Sequence, residues 1–333
     1  MKVDTVLGPV DVAQLGRTLM HEHVIISVEG AELDRSVPFD RQAFVADVVD
    51  RLRTLRERHG VRTFVDPCPI EMGRDVRLLA EVSEKAEMHI ICATGFYHDG
   101  FGIPLYWRMR PAQEIAAFYI DEIENGVGDT GIKPGLIKVA TGQPAITDME
   151  YKVIEAACIA QRATGVPILT HTEEGCCGPN QQAAFAKGGV PLHRCLIGHS
   201  CGNADIAYHR RIVEAGSYVG FDRIGYVCHQ PDEVRADNVA KLVGDGRIGH
   251  LLLSQDMICG MRGRMEFPQT PAELAQEAEL RREGLWPLRQ TYIFDKFLPM
   301  LRARGLDDSH VRVLLDDNPR RFFSGEAIPF LPL

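Results

Sequence analysis

The sequence predicts an α/β protein folded as a (β/α)8 TIM barrel. Short apolar runs recur along the chain, each followed by a longer amphipathic stretch, so strand and helix alternate about eight times, the number of units that closes a barrel. The apolar runs carry no alternating polar face, as expected of parallel strands covered by helices on both sides. The length of 333 residues is ample for one such barrel. A doubly wound open sheet is the competing architecture, because periodicity alone does not separate the two.

The expected strands, in order, are Thr18–Ile25, Thr63–Asp66, His89–Thr94, Gly135–Ala140, Pro167–His171, Arg194–His199, Tyr218–Asp222 and His250–Ser254. Between them, Arg41–Arg58 sets Phe44, Val45, Val48, Val49, Leu52 and Leu55 on one helical stripe, closed by Gly60. Asp148–Thr164 repeats the pattern with Tyr151, Val153, Ile154, Ala157 and Cys158, and Asn203–Ala215, Asp232–Val243 and Thr291–Arg304 follow suit. Met257–Leu288 breaks the rhythm. With Pro268, Pro271 and several charges, it is expected to be a long irregular loop after the eighth strand, of the kind that forms lids and binding loops. No linker-like stretch divides the chain, so residues 1–333 are expected to form a single domain.

Composition narrows the function. With 37 basic and 46 acidic residues the net charge is −9, a field that repels nucleic acid. No apolar run approaches the ~20 residues needed to span a bilayer. Met1-Lys-Val-Asp4 places an acid where a signal peptide builds its apolar core. The nine cysteines are an odd number without any C-x-x-C pair, and adjacent Cys176–Cys177 suit neither a disulfide framework nor a zinc knuckle. A cytoplasmic enzyme acting on a small molecule, with no nucleic-acid or membrane partner, is the expectation.

The residues able to do chemistry cluster at strand ends. His21-Glu22-His23 closes the first strand; alternate residues of a strand point the same way, so the two imidazoles would face one metal ion. Lys138 stands mid-strand in Gly135-Leu-Ile-Lys-Val-Ala140, where desolvation favours its neutral amine. Such an amine can capture carbon dioxide, and the resulting carbamate can bridge two cations. His171 and His199 each end an apolar run, and Asp256 follows Leu251-Leu-Leu-Ser-Gln255. Individually, each has a plainer reading as a strand cap, a snorkelling lysine or a helix cap. Together they occupy the C-terminal strand ends, where barrel enzymes build their active sites. Four imidazoles, one carboxylate and a lysine carbamate form a ligand set for two divalent ions.

On these residues the chain resembles the phosphotriesterase family of the amidohydrolase superfamily. His21-x-His23, Lys138, His171, His199 and Asp256 match its metal-binding signature in order. The resemblance extends from Thr18-Leu-Met-His-Glu-His23 through Val65-Asp66 and Gly73-Arg-Asp75 to Asp317-Asn-Pro-Arg320, nearly the whole chain. It implies a binuclear hydrolase, with His21, His23 and Asp256 on the more buried ion, His171 and His199 on the exposed one, and carboxylated Lys138 between them. Zinc is the expected metal; manganese, iron or cobalt also suit such ligands. The family chemistry implies attack by a metal-bridging hydroxide, with Asp256 shuttling the proton, and a homodimer is the expected assembly.

Gly95-Phe-Tyr97 and Gly220-Phe-Asp-Arg223 resemble the lactonase branch, which implies Tyr97 beside the reacting carbonyl and Arg223 orienting the substrate or the loops around it. Lactone opening with promiscuous phosphotriesterase activity is therefore the expected function. Gln255 departs from the histidine or asparagine often found before the aspartate. Arg262 and Arg264 lie close enough after Asp256 to meet an anionic group of a substrate. Three alternatives stand beside this reading: an amide or carboxylic-ester hydrolase on the same metal centre, a barrel that binds without turnover, and a serine hydrolase. The last rests on Gly198-His-Ser-Cys-Gly202, which fits G-x-S-x-G, with Ser200, Asp256 and His310 in triad order. It leaves His21, His23, Lys138 and His171 unexplained.

Overall fold

A computed structural model describes residues 1–264 and 269–331. Eight parallel strands pair strictly in chain order: β1 (Arg17–Leu19), β2 (Val61–Asp66), β3 (His89–Gly95), β4 (Leu136–Thr141), β5 (Ile168–Thr172), β6 (Cys195–Ile197), β7 (Tyr218–Phe221) and β8 (Leu251–Leu253). At the seam, Asp256 N–H donates to the His21 carbonyl and His21 N–H to Ser254 Oγ, both at 2.9 Å, which draws β8 up to β1. The barrel expectation holds, and the doubly wound sheet is excluded by this order.

Helices α1 (Arg41–His59), α2 (Val76–Ala86), α3 (Ala112–Asn125), α4 (Asp148–Thr164), α5 (Gly178–Lys187), α6 (Ile206–Ala215) and α7 (Asp232–Gly244) cover the outside. Their ends follow local chemistry. Thr147 and Glu150 form a capping box at the start of α4, and Gly60 ends α1 in the left-handed conformation foreseen for it. Inside the barrel, Val65, Ile91, Leu136, Leu169, Leu196 and Leu252 fill the lower layers. Phe322 of the C-terminal helix Asn318–Ser324 plugs the floor, and Asn318 Nδ2 donates to the carbonyls of Ile248 and Leu251. A packed floor leaves only the opposite end open for chemistry.

Two expectations need correction, and a third is refined. Thr18–Ile25 is not one strand. The ladder stops at Leu19, the chain bends through Met20–Glu22, and His23–Ser27 then pairs in parallel with Ile258–Arg262 as a separate ribbon. The bend exists because side chains replace the ladder: Glu22 accepts from Ser254 Oγ, Gln255 N–H and Met257 N–H, and Asp66 accepts from Val24 N–H. Met257–Leu288 is not irregular throughout; it supplies the ribbon strand and helix α8 (Pro271–Glu283), while residues 265–268 of it lie outside the described residues. The expected helix Thr291–Arg304 is present, as a π-helical stretch, Ile293–Phe297, running into a short α-helix, Leu298–Arg302.

Candidate active site

All six expected ligands converge at the open end of the barrel, on one cavity of about 570 Å³. Lys138 comes from within β4 and His171 from β5; His21 lies in the bend after β1 and His23 opens the ribbon. His199 and Asp256 follow β6 and β8 with φ of +56° and +55°. Left-handed backbone is costly for residues with a Cβ and persists where the surroundings impose it. Here the imposed conformation aims both side chains inward. Gly95 is required for a different reason: a Cβ there would lie 2.0 Å from the Lys138 carbonyl oxygen, so only glycine lets β3 lie this close beside the lysine before turning to Tyr97.

The donor atoms are close. Lys138 Nζ lies 3.0 Å from His21 Nε2, and Asp256 Oδ1 lies 3.2 Å from His23 Nε2 and 3.7 Å from His21 Nε2. Asp256 Oδ2 is 3.4 Å from His199 Nε2, and the His171 and His199 rings meet edge to face at 4.5 Å. Behind them, the fully buried carboxylate of Asp222 accepts from His21 Nδ1 at 2.9 Å, His199 Nδ1 at 3.1 Å and His199 N–H at 2.7 Å. Asp66 Oδ1 approaches His23 Nδ1 at 3.4 Å. A carboxylate on Nδ1 fixes the tautomer and leaves the Nε2 lone pair facing the cavity.

The electrostatics suit cations. Burial, reinforced by the Lys138 charge, brings the His21 imidazole down to about 4, and burial brings His171 to about 3. Burial and the Arg223 charge also depress His199, so these rings are neutral and competent as ligands. His23 is the exception: burial lowers it, but Asp256 and Asp66 outweigh that and raise it. For Asp256 burial favours the acid, yet His199, His23, His21 and Arg223 together hold the carboxylate well below its ordinary range. Burial brings Lys138 down to about 8, leaving an appreciable neutral amine at physiological pH. Three tight groups of potential donors, His21–His23–Asp256, His21–His199–Asp222 and His23–Asp66–Cys68, are present among the described residues. Neutral imidazoles, an anion and a deprotonable amine around one cavity fit a pair of divalent ions.

At the lip, Tyr97 Oη lies 3.1 Å from His171 Nδ1, and Arg223 Nε donates to Asp256 Oδ2 at 3.0 Å. Arg262 and Arg264 are not brought to this cavity. Arg262 points to the other side of the ribbon, its guanidinium 4.8 Å over Phe39, in a separate groove, and Arg264 follows the ribbon's end. Ser200 is buried and donates to the Ile197 carbonyl at 2.8 Å, the left-handed turn is at His199 rather than the serine, and His310 pairs with Asp307 on a distant helix. No serine triad forms. Gln255 acts structurally, donating to the Arg289 carbonyl and accepting from Ile293 N–H.

Sequence reasoning gave no role to Asp222, nor to Glu173, which lies 3.0 Å from His171 Nε2, or to Tyr226, which donates to the Asp256 carbonyl. Glu71 also escaped notice; it accepts from Tyr97 N–H at 2.6 Å and so holds the tyrosine loop. A strand-ending aspartate within Gly220-Phe-Asp-Arg223 was the one available signal, for Asp222.

A parallel barrel with side chains able to hold metal ions at its C-terminal strand ends is the arrangement of a metal-dependent hydrolase. The family model described as the phosphotriesterase family matches residues 1–323. A phosphotriesterase homology protein of Mycobacterium tuberculosis is 35% identical over 98% of each chain. The aryldialkylphosphatase of Saccharolobus solfataricus is 30% identical over 93% of this chain and 95% of its own. A solved mutant of a PTE-like lactonase from Deinococcus radiodurans superposes with a TM-score of 0.87 at 39% identity, covering 96% of this chain and 99% of that one. The chain belongs to the phosphotriesterase family, and it is a hydrolase.

Proposed function

We propose that the protein is a binuclear metal-dependent lactonase with slower, promiscuous phosphotriesterase activity. The observation that carries the reading is Tyr97, whose hydroxyl stands at the lip of the ligand cluster, 3.1 Å from His171 Nδ1. Two divalent ions, zinc by preference, held by His21, His23, His171, His199, Asp256 and carboxylated Lys138, supply Lewis-acid polarisation and a hydroxide nucleophile when bound. The protein's own groups do the rest. Burial pushes the Tyr97 phenol far above its ordinary range, so it stays a donor and can stabilise the oxygen of an attacked carbonyl. Arg223 braces the Asp256 carboxylate, the group placed to carry a proton to the leaving alkoxide. Ile26, Met72, Phe101 and Ile258 give the aliphatic part of a lactone an apolar wall. The name of the Deinococcus relative supports the same branch.

A planar carbonyl fits beside one donor, whereas a tetrahedral phosphorus centre needs room for three substituents. Tyr97→Phe should therefore cost about 1–3 kcal/mol in lactone kcat/KM, the scale of one functional hydrogen bond, and less in paraoxon turnover. The test is kcat/KM of the zinc-loaded enzyme for a panel of γ- and δ-lactones and for paraoxon, in wild type and Tyr97→Phe. A wild-type value for paraoxon above that for every lactone refutes the assignment.

A further inference from the structure

The adjacent thiols Cys176 and Cys177 lie in the β5–α5 connection, outside the ligand cluster and without a part in the hydrolytic chemistry. Their sulfurs are 3.1 Å apart, and both face the Pro144 carbonyl in the neighbouring β4–α4 loop. Both are partly exposed, whereas six of the other seven cysteines are buried; the seventh, Cys228, lies at the cavity. We propose that Cys176 and Cys177 form an oxidisable vicinal dithiol, which peroxide converts to a disulfide that reshapes the neighbouring edge of the active site.

The chemistry balances with peroxide as the oxidant. The Cys176 thiolate attacks one peroxide oxygen, the O–O bond breaks, and hydroxide leaves while Cys176 becomes a sulfenic acid. Cys177 sulfur then attacks the sulfenic sulfur, and hydroxide departs with the Cys177 proton as water. Two thiols are oxidised and one peroxide is reduced to two waters. Exchanging the two cysteines gives the same product by the same balance. Consecutive Cα atoms are ~3.8 Å apart across a trans peptide, below the ~4.4–6.8 Å usual for disulfides. The ring is accordingly strained and reopens with a thiol reductant, which makes the modification reversible.

Two hydrogen-bonded routes lead from the pair to His171. Cys176 N–H donates to the Glu173 carbonyl at 2.8 Å, and Glu173 Oε2 lies 3.0 Å from His171 Nε2. The Cys177 carbonyl accepts from Asn180 and Gln181 N–H at the start of α5, and Gln181 Nε2 donates to the His171 carbonyl at 2.8 Å and to Thr141 Oγ1 at 2.7 Å. Cys177 already sits at a φ of +66°, so ring closure must be absorbed by this segment.

The test treats zinc-loaded full-length protein and its Cys176→Ser/Cys177→Ser variant with hydrogen peroxide. Peptide mass spectrometry under thiol-blocking conditions maps the product, amide hydrogen exchange reads residues 171–187, and kcat/KM is followed with whichever of a lactone or paraoxon wild type turns over faster. The expected result is loss of two hydrogens on the Cys176–Cys177 peptide and altered exchange across 171–187. A roughly tenfold fall in kcat/KM should accompany these, within what a misplacement of about 1 Å can cause. Dithiothreitol reverses all three, and the serine variant shows none. Sulfinic acid without a vicinal disulfide, a disulfide that leaves exchange and activity unchanged, or an equal loss of activity in the serine variant each overturns the proposal.

Discussion

Replacing Asp222 by asparagine tests how the site prepares its ligands, because it preserves shape and removes one acceptor. Asp222 Oδ1 serves His199 N–H and Nδ1, while Oδ2 serves His21 Nδ1. Asparagine has one oxygen. Placed toward His199, it keeps two hydrogen bonds and sets its NH2 against His21 Nδ1; flipped, it keeps one bond and loses two. The first orientation wins, so His21 must move its proton from Nδ1 to Nε2, the atom that faces Lys138 and Asp256. A protonated Nε2 cannot ligate. The loss is one charge-assisted hydrogen bond in a buried site, about 1.5–3 kcal/mol, or roughly 10–100-fold in affinity for the ion that uses His21. The assay is zinc titration of the stripped protein against a competing chromophoric chelator, with thermal unfolding of the stripped forms as a control for folding. One zinc should weaken by that factor while the other changes little. Wild-type affinity for both ions in a folded variant would refute the idea that Asp222 sets the tautomer of His21.

Three further outcomes follow from the same geometry. Lys138→Ala should fall to background hydrolysis, with partial rescue by short-chain carboxylic acids that mimic a carbamate; full activity without additive would exclude the bridging role. Burial raises the Glu71 carboxyl to about 7 from 4.5, so it costs nothing below pH 4.5, and stability falls as pH rises to about 7, where the cost levels at about 3 kcal/mol. Glu71→Gln keeps an acceptor for Tyr97 N–H and should be more stable than wild type in urea at pH 8.5 but equal at pH 4; equal stability at both would contradict the linkage. Arg262→Gln should change KM by less than about twofold for neutral and anionic substrates alike, as expected of a partly exposed charge away from the cavity. A selective rise in KM for anionic substrates would return Arg262 to the mouth.

The histidines and Asp256 were legible because each sits at or just past the end of an apolar run, and Lys138 because a lysine interrupts one. His21 and His23 do face one cavity, but not as alternate residues of a single strand. They converge because Glu22 and Asp66 bend the chain out of its ladder, and the Glu22 partners lie 232 to 235 residues away, beyond any local pattern. Asp222 was hidden for the same reason: its partners His21 and His199 are 201 and 23 residues distant. Helix α8 escaped because only Leu280 of its thirteen residues is buried, so it carries no apolar stripe to reveal it. Arg262 was placed by sequence proximity to Asp256, whereas strand alternation in the ribbon turns it toward Phe39.

The site thus divides by how its parts are held. The donor set is fixed by buried acidic side chains, Asp222, Asp66 and Glu22, whose hydrogen bonds tie strand ends to one another across the barrel. The lip is held by contacts between loops: Glu71 to Tyr97 N–H, Tyr226 to the Asp256 carbonyl, and Gln276 of α8 to the Gly225 carbonyl at 2.8 Å. Breaking the first kind leaves buried donors or charges unsatisfied and costs the chemistry itself. Breaking the second kind moves only what surrounds the substrate. A site built this way can change the electrophile it accepts through Tyr97, Arg223 and the loops beside them while its donor set stays constant, in keeping with relatives named as a lactonase and as an aryldialkylphosphatase.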